Sequence, residues 1–249
     1  MSERKQNKKI DNKAPVIVGV GDFTDRSKED GLNPQELLAK ASQLAIKDSG
    51  IKDLNKQIDY VGVVRFSVDF LTATNQSSFQ YSNFPRTLSN KLGIQATNEI
   101  YAPMGGNSPQ VLLEDALIKI SSGETDCALL AGGEALQTMI ARLKAGMSLD
   151  WLDEPGGNPE MIGNNAIGFS EHEKIHGMDL PTNVYPLFAQ SLRKKDNKTA
   201  EQHLKECSSL FSEFSKVASN NPYSWFPTFR SEEEIASVTK NNRLVGFPY

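Results

Sequence analysis

Cysteine and histidine are scarce in this sequence of 249 residues, which contains two cysteines and three histidines. Cys127 and Cys207 are far apart, and the chain contains neither a CxxC pair nor a Cys/His cluster. This spacing excludes a disulfide framework and a structural zinc site. An excess of positive charge is also lacking, because 27 Lys and Arg face 31 Asp and Glu, for a formal net charge of −4. A globally basic nucleic-acid-binding protein is therefore excluded.

Long apolar runs are missing as well. No stretch approaches the roughly 18 apolar residues that a membrane-spanning helix needs. The charged start MSERKQNKKIDNK is not followed by the apolar segment of a secretory signal. Hydrophobic residues still make up 38% of the chain, which is enough for a folded core. We therefore expect a soluble, cytoplasmic protein with reduced thiols, no membrane span and no nucleic-acid partner.

Strand and helix signals alternate between residues 14 and 135. Apolar runs predict strands at 15–21, 58–64, 97–103 and 126–135, and helical periodicity predicts helices at 33–50, 84–94 and from Pro109 to Gly123. The first and last of these strands are continuously apolar, as expected for strands covered on both faces. Residues 65–82 show no period and are predicted to form a loop. The alternation predicts an α/β fold with a mostly parallel sheet flanked by helices.

The pattern changes after residue 135. Residues 136–195 contain two helical pieces and the segment EPGGNPEMIGNN, with no strand signal. Residues 199–220 are predicted to form a long helix with an apolar stripe, and Ser231 is predicted to begin a further short helix. The domain organisation that follows is a disordered tail over 1–13, an α/β core over 14–135, and a helical insertion over 136–249.

Gly19 and Gly21 follow the first predicted strand, as glycines do in dinucleotide-binding proteins. The third glycine of that motif is replaced by Thr24, and Asp48 falls inside a predicted helix rather than at the tip of the second strand. Two interpretations remain open: a nicotinamide cofactor site, or a strand end that packs under a helix.

A second glycine loop precedes the third predicted helix. Gly105, Gly106, Asn107 and Ser108 lie just before Pro109, which suits the first turn of a helix. Unpaired backbone N–H groups at a helix start can hold an anion or a carbonyl oxygen. Alternatively, Ser108 is a simple N-cap. This loop is the main candidate for a substrate-binding site.

Gly132 and Gly133 end the last predicted strand of the sheet. Ligands of α/β proteins bind beyond the carboxyl ends of the strands, which makes this pair a second candidate for the wall of a binding site. The alternative is that the glycines allow a crossing helix to approach closely.

The cysteines and histidines of the chain give weaker indications of a functional site. Cys127 lies in an apolar strand and Cys207 on an apolar helix stripe, so both are interpreted as small core residues rather than reactive thiolates. His172 and His176 would share one face of a helix, but two ligands without a third do not make a zinc site. No metal site is predicted.

Several motifs together resemble the thiolase superfamily. They are GGNSPQ, the helix that ends with Ile120-x-x-Gly123, and the strand DCALLAGGEA. Three later stretches resemble thiolase-like type 1 proteins, often called acetyl-CoA acetyltransferases: P-x-x-x-YPLF-x-x-x-x-R at 181–193, FSKVASNNPYSW at 214–225 and NNRLVGFPY at 241–249. The resemblance implies acyl transfer between coenzyme A thioesters in lipid metabolism. It also implies a five-stranded mixed sheet, repeated in two halves, with a loop domain that covers the acyl-CoA.

The sequence departs from that family in two respects. Counting back from Gly123 over the family's usual spacing places the nucleophilic cysteine position at Gly106, and a glycine cannot form an acyl-enzyme. The family's other reactive motifs belong to a C-terminal half, and this chain has no such motifs. We therefore expect a fragment that represents the N-terminal half, lacks the fifth strand and is not competent alone.

The resemblance implies a coenzyme A thioester as the substrate and no bound cofactor. The missing half or a second copy of the chain would be the protein partner. Two other hypotheses remain: a non-catalytic CoA-binding or assembly subunit, and, as a minor one, a nicotinamide-dependent oxidoreductase.

Overall fold

The computed structural model describes residues 13–67, 69, 81–163, 168–240 and 242. The chain divides into two compact units, Met1–Asn165 and Ala166–Tyr249. The first unit thus extends beyond residue 135, where the sequence predicts the end of the α/β core. Most of the predicted tail, much of the predicted loop over 65–82 and nearly all of the motif at 241–249 lie outside the described residues.

The first unit alternates helices and strands. Its elements in chain order are α1 (Pro34–Asp48), β1 (Tyr60–Val64), α2 (Phe84–Leu92), β2 (Asn98–Ala102), α3 (Ser108–Ser122), β3 (Ala128–Ala131), α4 (Leu136–Lys144) and β4 (Glu160–Met161). A short 3₁₀ turn, Leu54–Lys56, precedes β1.

The four strands form one parallel sheet in the order β3-β1-β2-β4. Tyr60 of β1 is in register with Asn98 of β2 on one side and with Ala128 of β3 on the other. The predicted parallel α/β sheet is therefore confirmed. The expectation of no strand after residue 135 is wrong, because β4 pairs with the end of β2. A two-residue strand with exposed side chains is too short to produce a periodic signal in the sequence.

The boundaries of α1 follow from local signals. The Asn33 side chain accepts a hydrogen bond from the Glu36 N–H at 2.9 Å, and the Glu36 carboxylate accepts one from the Asn33 N–H at 3.0 Å. This reciprocal pair is a capping box, which satisfies two backbone donors at the helix start. Pro34 occupies the first turn, as predicted. The predicted end of α3 is also confirmed, because Gly123 follows that helix with a φ of 84°.

The sheet separates two apolar layers. Val61 and Val63 of β1 point into a cluster with residues of α1, α2 and α4. Tyr60, on the opposite face of β1, joins Leu112 and Ala116 of α3. This alternation is the period-two pattern of a strand. Gly62 allows α3 to approach, because a Cβ at that position would lie 2.7 Å from Leu112 Cδ1.

The predicted strand at 15–21 is not observed. The segment belongs to no strand of the sheet, and Val16, Ile17 and Val20 expose 74%, 78% and 68% of their surface. It lies instead against α1, where a Cβ on Gly19 or Gly21 would be only 2.2 Å from a backbone oxygen. An apolar run has the propensity for a strand but forms one only beside a partner strand. The last predicted strand is also shorter and less buried than expected, because β3 has four residues and only Leu129 is fully buried.

The second unit is helical, as predicted. Its helices are α5 (Glu171–Ile175), α6 (Pro181–Lys195), α7 (Ala200–Ser219) and α8 (Glu232–Ala236). Together with α4, the described residues between 136 and 195 contain three helices rather than the two expected. None of the helices in the described part of the chain is long and apolar enough to cross a membrane.

The buried side of the long helix α7 carries polar residues. Ser208 and Ser212 are buried, and the Ser212 hydroxyl donates to the Arg230 carbonyl at 2.8 Å. Leu210, Phe214 and Val217 of the predicted apolar stripe are more than half exposed. Helical spacing identified this stripe correctly, but a burial partner for it is not found among the described residues.

Candidate functional site

The two glycine loops lie at the same edge of the sheet. Because β1, β2 and β3 are parallel, their carboxyl ends meet at one edge. Gly105 follows β2 and Gly132 follows β3, while β1 runs between these two strands. Neighbouring strands are about 4.8 Å apart, so the loops are separated by about 10 Å. The residues that follow β1 lie between them.

The loop before α3 is a tight turn. The Ser108 N–H donates to the Gly105 carbonyl at 3.1 Å. Asn107 is the N-cap residue, but its side chain makes no capping hydrogen bond, and its φ and ψ of −92° and −12° are helical. Ser108 is the first helical residue and is 2% exposed. The interpretation of Ser108 as a simple N-cap is therefore wrong, because the turn brings this residue into the helix itself.

Three backbone donors of this loop have no acceptor in the part of the chain that the structure describes. These donors are the N–H groups of Gly105, Gly106 and Asn107. They lie at the start of α3, a helix of 15 residues. The positive end of a helix dipole and free N–H groups together favour an anion or a polarised carbonyl oxygen. The loop can thus perform the binding role that the sequence suggests for it.

Steric crowding does not explain why residue 106 is a glycine. A Cβ at this position would meet nothing within 4 Å, and its φ is outside the left-handed range. Gly105 is more restricted, because its Cβ would lie 3.1 Å from Ser108 Oγ and 3.2 Å from Asn107 Oδ1. The fold would therefore accept a side chain at Gly106, and the lack of a nucleophile there is a feature of the sequence and not a demand of the backbone.

The glycines after β3 differ in their surroundings. A Cβ on Gly133 would lie 2.9 Å from Leu38 Cδ1 of α1, so Gly133 allows this helix to pack closely against the end of the strand. A Cβ on Gly132 would reach only ordinary contact, 3.8 Å from Val64 Cβ. The packing alternative therefore accounts for Gly133, whereas Gly132 is exposed at the carboxyl edge.

Sequence reasoning missed a buried charge cluster between the two loops. The Asp69 carboxylate accepts hydrogen bonds from the Tyr81 N–H at 2.8 Å and from the Tyr101 hydroxyl at 2.9 Å. Arg65 Nε lies 3.0 Å from Asp69 Oδ2, an ion pair without hydrogen-bond geometry. The guanidinium group also stacks on the Tyr101 ring, 4.6 Å from its centre. One signal of this cluster was present in the sequence, because the charged residue Arg65 directly follows the buried strand β1.

Burial dominates the electrostatics of this cluster. Loss of hydration raises the pKa of Asp69, although the Tyr81 N–H, the Arg65 charge and the Tyr101 hydroxyl all favour the ionised form. Burial also raises the pKa of Tyr101, as does the nearby charge of Asp69. The cluster therefore holds one carboxylate among several donors and a positive charge.

A second polar contact ties the ends of β1 and β3 together. The Ser67 N–H and hydroxyl both donate to Glu134 Oε1 at 2.8 Å. The other oxygen, Glu134 Oε2, is buried and has no hydrogen-bond partner in the described part of the chain. This contact fixes the path of the chain just after Gly132 and Gly133.

The surroundings raise the pKa of both cysteine thiols, although Cys207 Sγ lies 3.7 Å from His203 Nε2. Burial raises the pKa of the Cys127 thiol, and the charges of Asp59 and Asp126 raise it further. Burial and the charge of Glu206 raise the pKa of the Cys207 thiol. A catalytic thiolate needs the opposite shift.

The histidine pair shares one face, as predicted. His172 lies in α5 and His176 follows it, with their ring centres 4.9 Å apart. No group of three or more His, Cys, Asp or Glu side chains that could hold a metal ion occurs within the described ranges.

The first glycine motif has a packing role. Gly19 and Gly21 lie directly on the backbone of α1, and the Val20 N–H donates to Asp48 Oδ2 at 2.9 Å. The interpretation as a segment end packed under a helix accounts for all three residues. Asp48 thus holds this segment in place. It does not lie at the tip of a strand, where the ribose-binding acid of a dinucleotide-binding protein lies.

The parallel sheet, its flanking helices and the loop at the start of α3 define a thiolase-like fold. Among solved structures, the chain is similar to a monomeric SCP2-thiolase like protein type 1 from Mycobacterium smegmatis. The two are 28% identical, with a TM-score of 0.66, and the match covers 94% of this chain and 41% of that chain. This chain therefore spans about two fifths of the length of its structural neighbour. No family model and no curated protein matches it.

Proposed function

We propose that this chain is part of a thiolase-type protein that binds acyl-CoA thioesters at the carboxyl edge of its sheet. The observation that carries the proposal is the loop before α3, where the N–H groups of Gly105, Gly106 and Asn107 have no acceptor within the described residues. In a thiolase-like fold, this loop is where the resemblance places the acyl group. Acyl transfer between CoA thioesters is the proposed reaction of a complete protein.

The chain's own residues supply binding and polarisation. The loop N–H groups would donate to the carbonyl oxygen of the thioester, in the manner of an oxyanion hole. Gly132 would form the opposite wall, and the contact between Ser67 and Glu134 would hold that wall in place. Acyl transfer also needs a nucleophile and a base that converge on the same carbonyl. Gly106 cannot provide the first, so the proposal assigns both groups to a second half or a partner chain.

Calorimetric titration with acetyl-CoA and with free CoA tests the proposal. We expect saturable heat with wild-type protein and binding at least about tenfold weaker for Asn107→Leu, because the larger apolar side chain crowds the loop without altering the fold. Asn107 is exposed, so the variant should remain folded. Asn90→Leu is a matched control on α2, also exposed, and should bind like wild type. An absence of measurable heat with the wild-type protein would refute the proposal.

A non-catalytic CoA-binding or assembly subunit is the second candidate. Two features support it: the raised pKa values of both cysteine thiols, and a glycine at residue 106, where the resemblance places the nucleophile. Incubation of the chain with radiolabelled acetyl-CoA can exclude the second candidate. A label on the protein that hydroxylamine removes would show an acyl-enzyme and exclude a non-catalytic subunit. Binding without such a label is expected of both candidates, because the first assigns the nucleophile to a second half or a partner chain.

A further inference from the structure

A shallow cavity of about 470 Å³, largely open to solvent, lies in the first unit, where the C-terminal ends of α1 and α2 approach each other. Its volume falls within the roughly 300–1,000 Å³ typical of small-molecule sites. Ile46, Ile51 and Leu92 provide an apolar floor, and Asn55 provides an amide. The Asn55 Nδ2 donates to the Leu92 carbonyl at 3.3 Å, which joins the two sides of the cavity.

The rim of this cavity is positively charged. Lys47, Lys52 and Lys91 line it, and no Asp or Glu is among its lining residues. All three lysines are exposed, and no carboxylate within the described residues forms an ion pair with any of them. This local excess of positive charge stands out in a chain with a formal net charge of −4.

Helix dipoles account for part of this arrangement. Lys47 and Lys91 lie in the last turns of α1 and α2, where cations are favoured. Each helix end contributes only about half a negative charge, so two ends cancel about one of the three lysine charges. Lys52 follows α1 and belongs to no helix. The cavity therefore keeps a net positive potential that the helix ends do not neutralise.

The cavity is separate from the acyl-binding loop. Helices that connect parallel strands run back along the sheet, so the C-terminal ends of α1 and α2 lie near the amino ends of β1 and β2. The loop before α3 follows the carboxyl end of β2. A five-residue strand is about 17 Å long, and this length separates the two places.

We propose that this cavity binds a nucleoside diphosphate, with the base on the apolar floor and the phosphates between the lysines. An apolar surface beside an amide suits a flat heterocycle with polar edges, and a rim of ammonium groups suits a diphosphate. Either feature alone would fit many solutes, but their combination in one cavity selects a molecule that has both parts. This inference does not rest on the proposed acyl-CoA function.

Calorimetric titration with ADP, pyrophosphate and adenosine tests the inference on the full chain. We expect ADP to bind most tightly, because only ADP uses both the floor and the rim. Lys52→Ala and Lys91→Ala should each weaken ADP binding about fourfold, as expected for one hydrated charge about 5 Å from a phosphate. The double variant should lose about tenfold or more, and Lys52→Arg should restore most of the affinity.

Lys56→Ala is the matched control. Lys56 lies in the same segment as Lys52 and is equally a surface lysine, but it pairs with Asp53 at 3.5 Å and does not line the cavity. This variant should bind ADP within about twofold of wild type. Equal losses for Lys56→Ala and Lys52→Ala would overturn the inference, as would pyrophosphate binding as tightly as ADP or no ADP binding at all.

Discussion

Gly21 and Gly106 differ in whether the surrounding structure requires a glycine. Gly21 is required by space, since a Cβ there would lie 2.2 Å from the Ala41 carbonyl oxygen of α1. Gly106 has open space around it and an ordinary φ. The first glycine therefore serves packing, and the second leaves the start of α3 without a side chain although a side chain would fit there.

We expect Gly106→Cys to fold with a free energy of unfolding within about 0.5 kcal/mol of wild type, because the new side chain enters open space. The introduced thiol would lie at the start of α3, where the helix dipole and free N–H groups lower a thiol pKa. Burial raises the pKa values of Cys127 and Cys207, so their thiolate fractions at pH 7 are small. Alkylation by iodoacetamide at pH 7 should therefore modify the introduced thiol first.

The pH dependence of that alkylation provides the decisive measurement. The rate at the introduced thiol should already be high at pH 7, whereas the rates at Cys127 and Cys207 should rise only as the pH approaches their raised pKa values. Gly105→Cys is the control, because its side chain would crowd Ser108 Oγ at 3.1 Å. An introduced thiol at Gly106 that reacts no faster than a free cysteine would show that the loop does not stabilise negative charge.

At the scale of the element, capping side chains define the starts of several helices. The capping box at Asn33 recurs at Thr199 before α7 and at Ser231 before α8. Each consists of a polar N-cap side chain and a Glu or Gln three residues later. In contrast, the starts of α3, α4 and α6 have no side-chain cap. The N-terminus of α3, one of these three helices, lies at the candidate site.

Asn33→Ala should lower the free energy of unfolding by about 1 kcal/mol, because the Glu36 N–H would lose its acceptor at the start of α1. Urea denaturation followed by circular dichroism measures this change. Asn90→Ala serves as the comparison, since Asn90 is exposed within α2 and alanine has the higher helix propensity. Similar losses for both variants would mean that the capping box contributes nothing specific.

At the scale of the whole molecule, apolar surface is exposed in both units. Val16 and Ile17 are exposed beside α1, and Leu210, Phe214 and Val217 form the exposed stripe of α7. In addition, β3 pairs only with β1 within the described residues, which leaves its other edge without a strand. Exposed apolar surface and an unpaired strand edge both promote association. These surfaces therefore favour association with another chain.

We therefore expect the isolated chain to associate. Multi-angle light scattering should give a mass above the 27.5 kDa of one chain, and the mass should rise with concentration. Phe214→Ser with Val217→Ser should shift the distribution toward the monomer, because the pair removes much of the exposed stripe. Lys216→Ser on the same helix should change little. A single monomeric species for wild type across the concentration range would contradict the expectation, and would match the monomeric state of the structural neighbour.

The sequence by itself determined the elements whose signals are local. Capping residues, stop glycines and apolar periodicity predicted α1, α2, α3 and α7, and buried apolar runs predicted β1 and β2. These signals act over a few residues, so they can be read without knowledge of the fold. The glycine loops of the candidate site were visible for the same reason.

Tertiary structure alone decided which residues meet. The apolar run at 15–21 became an exposed segment on α1, because strand formation depends on a neighbour that the run itself does not encode. The cluster of Arg65, Asp69 and Tyr101 forms only when two strands come into register, since its hydrogen bonds join residues that are distant in sequence. Local preferences thus set the helices and strands, whereas burial and partner choice, which rest on long-range contacts, set the site.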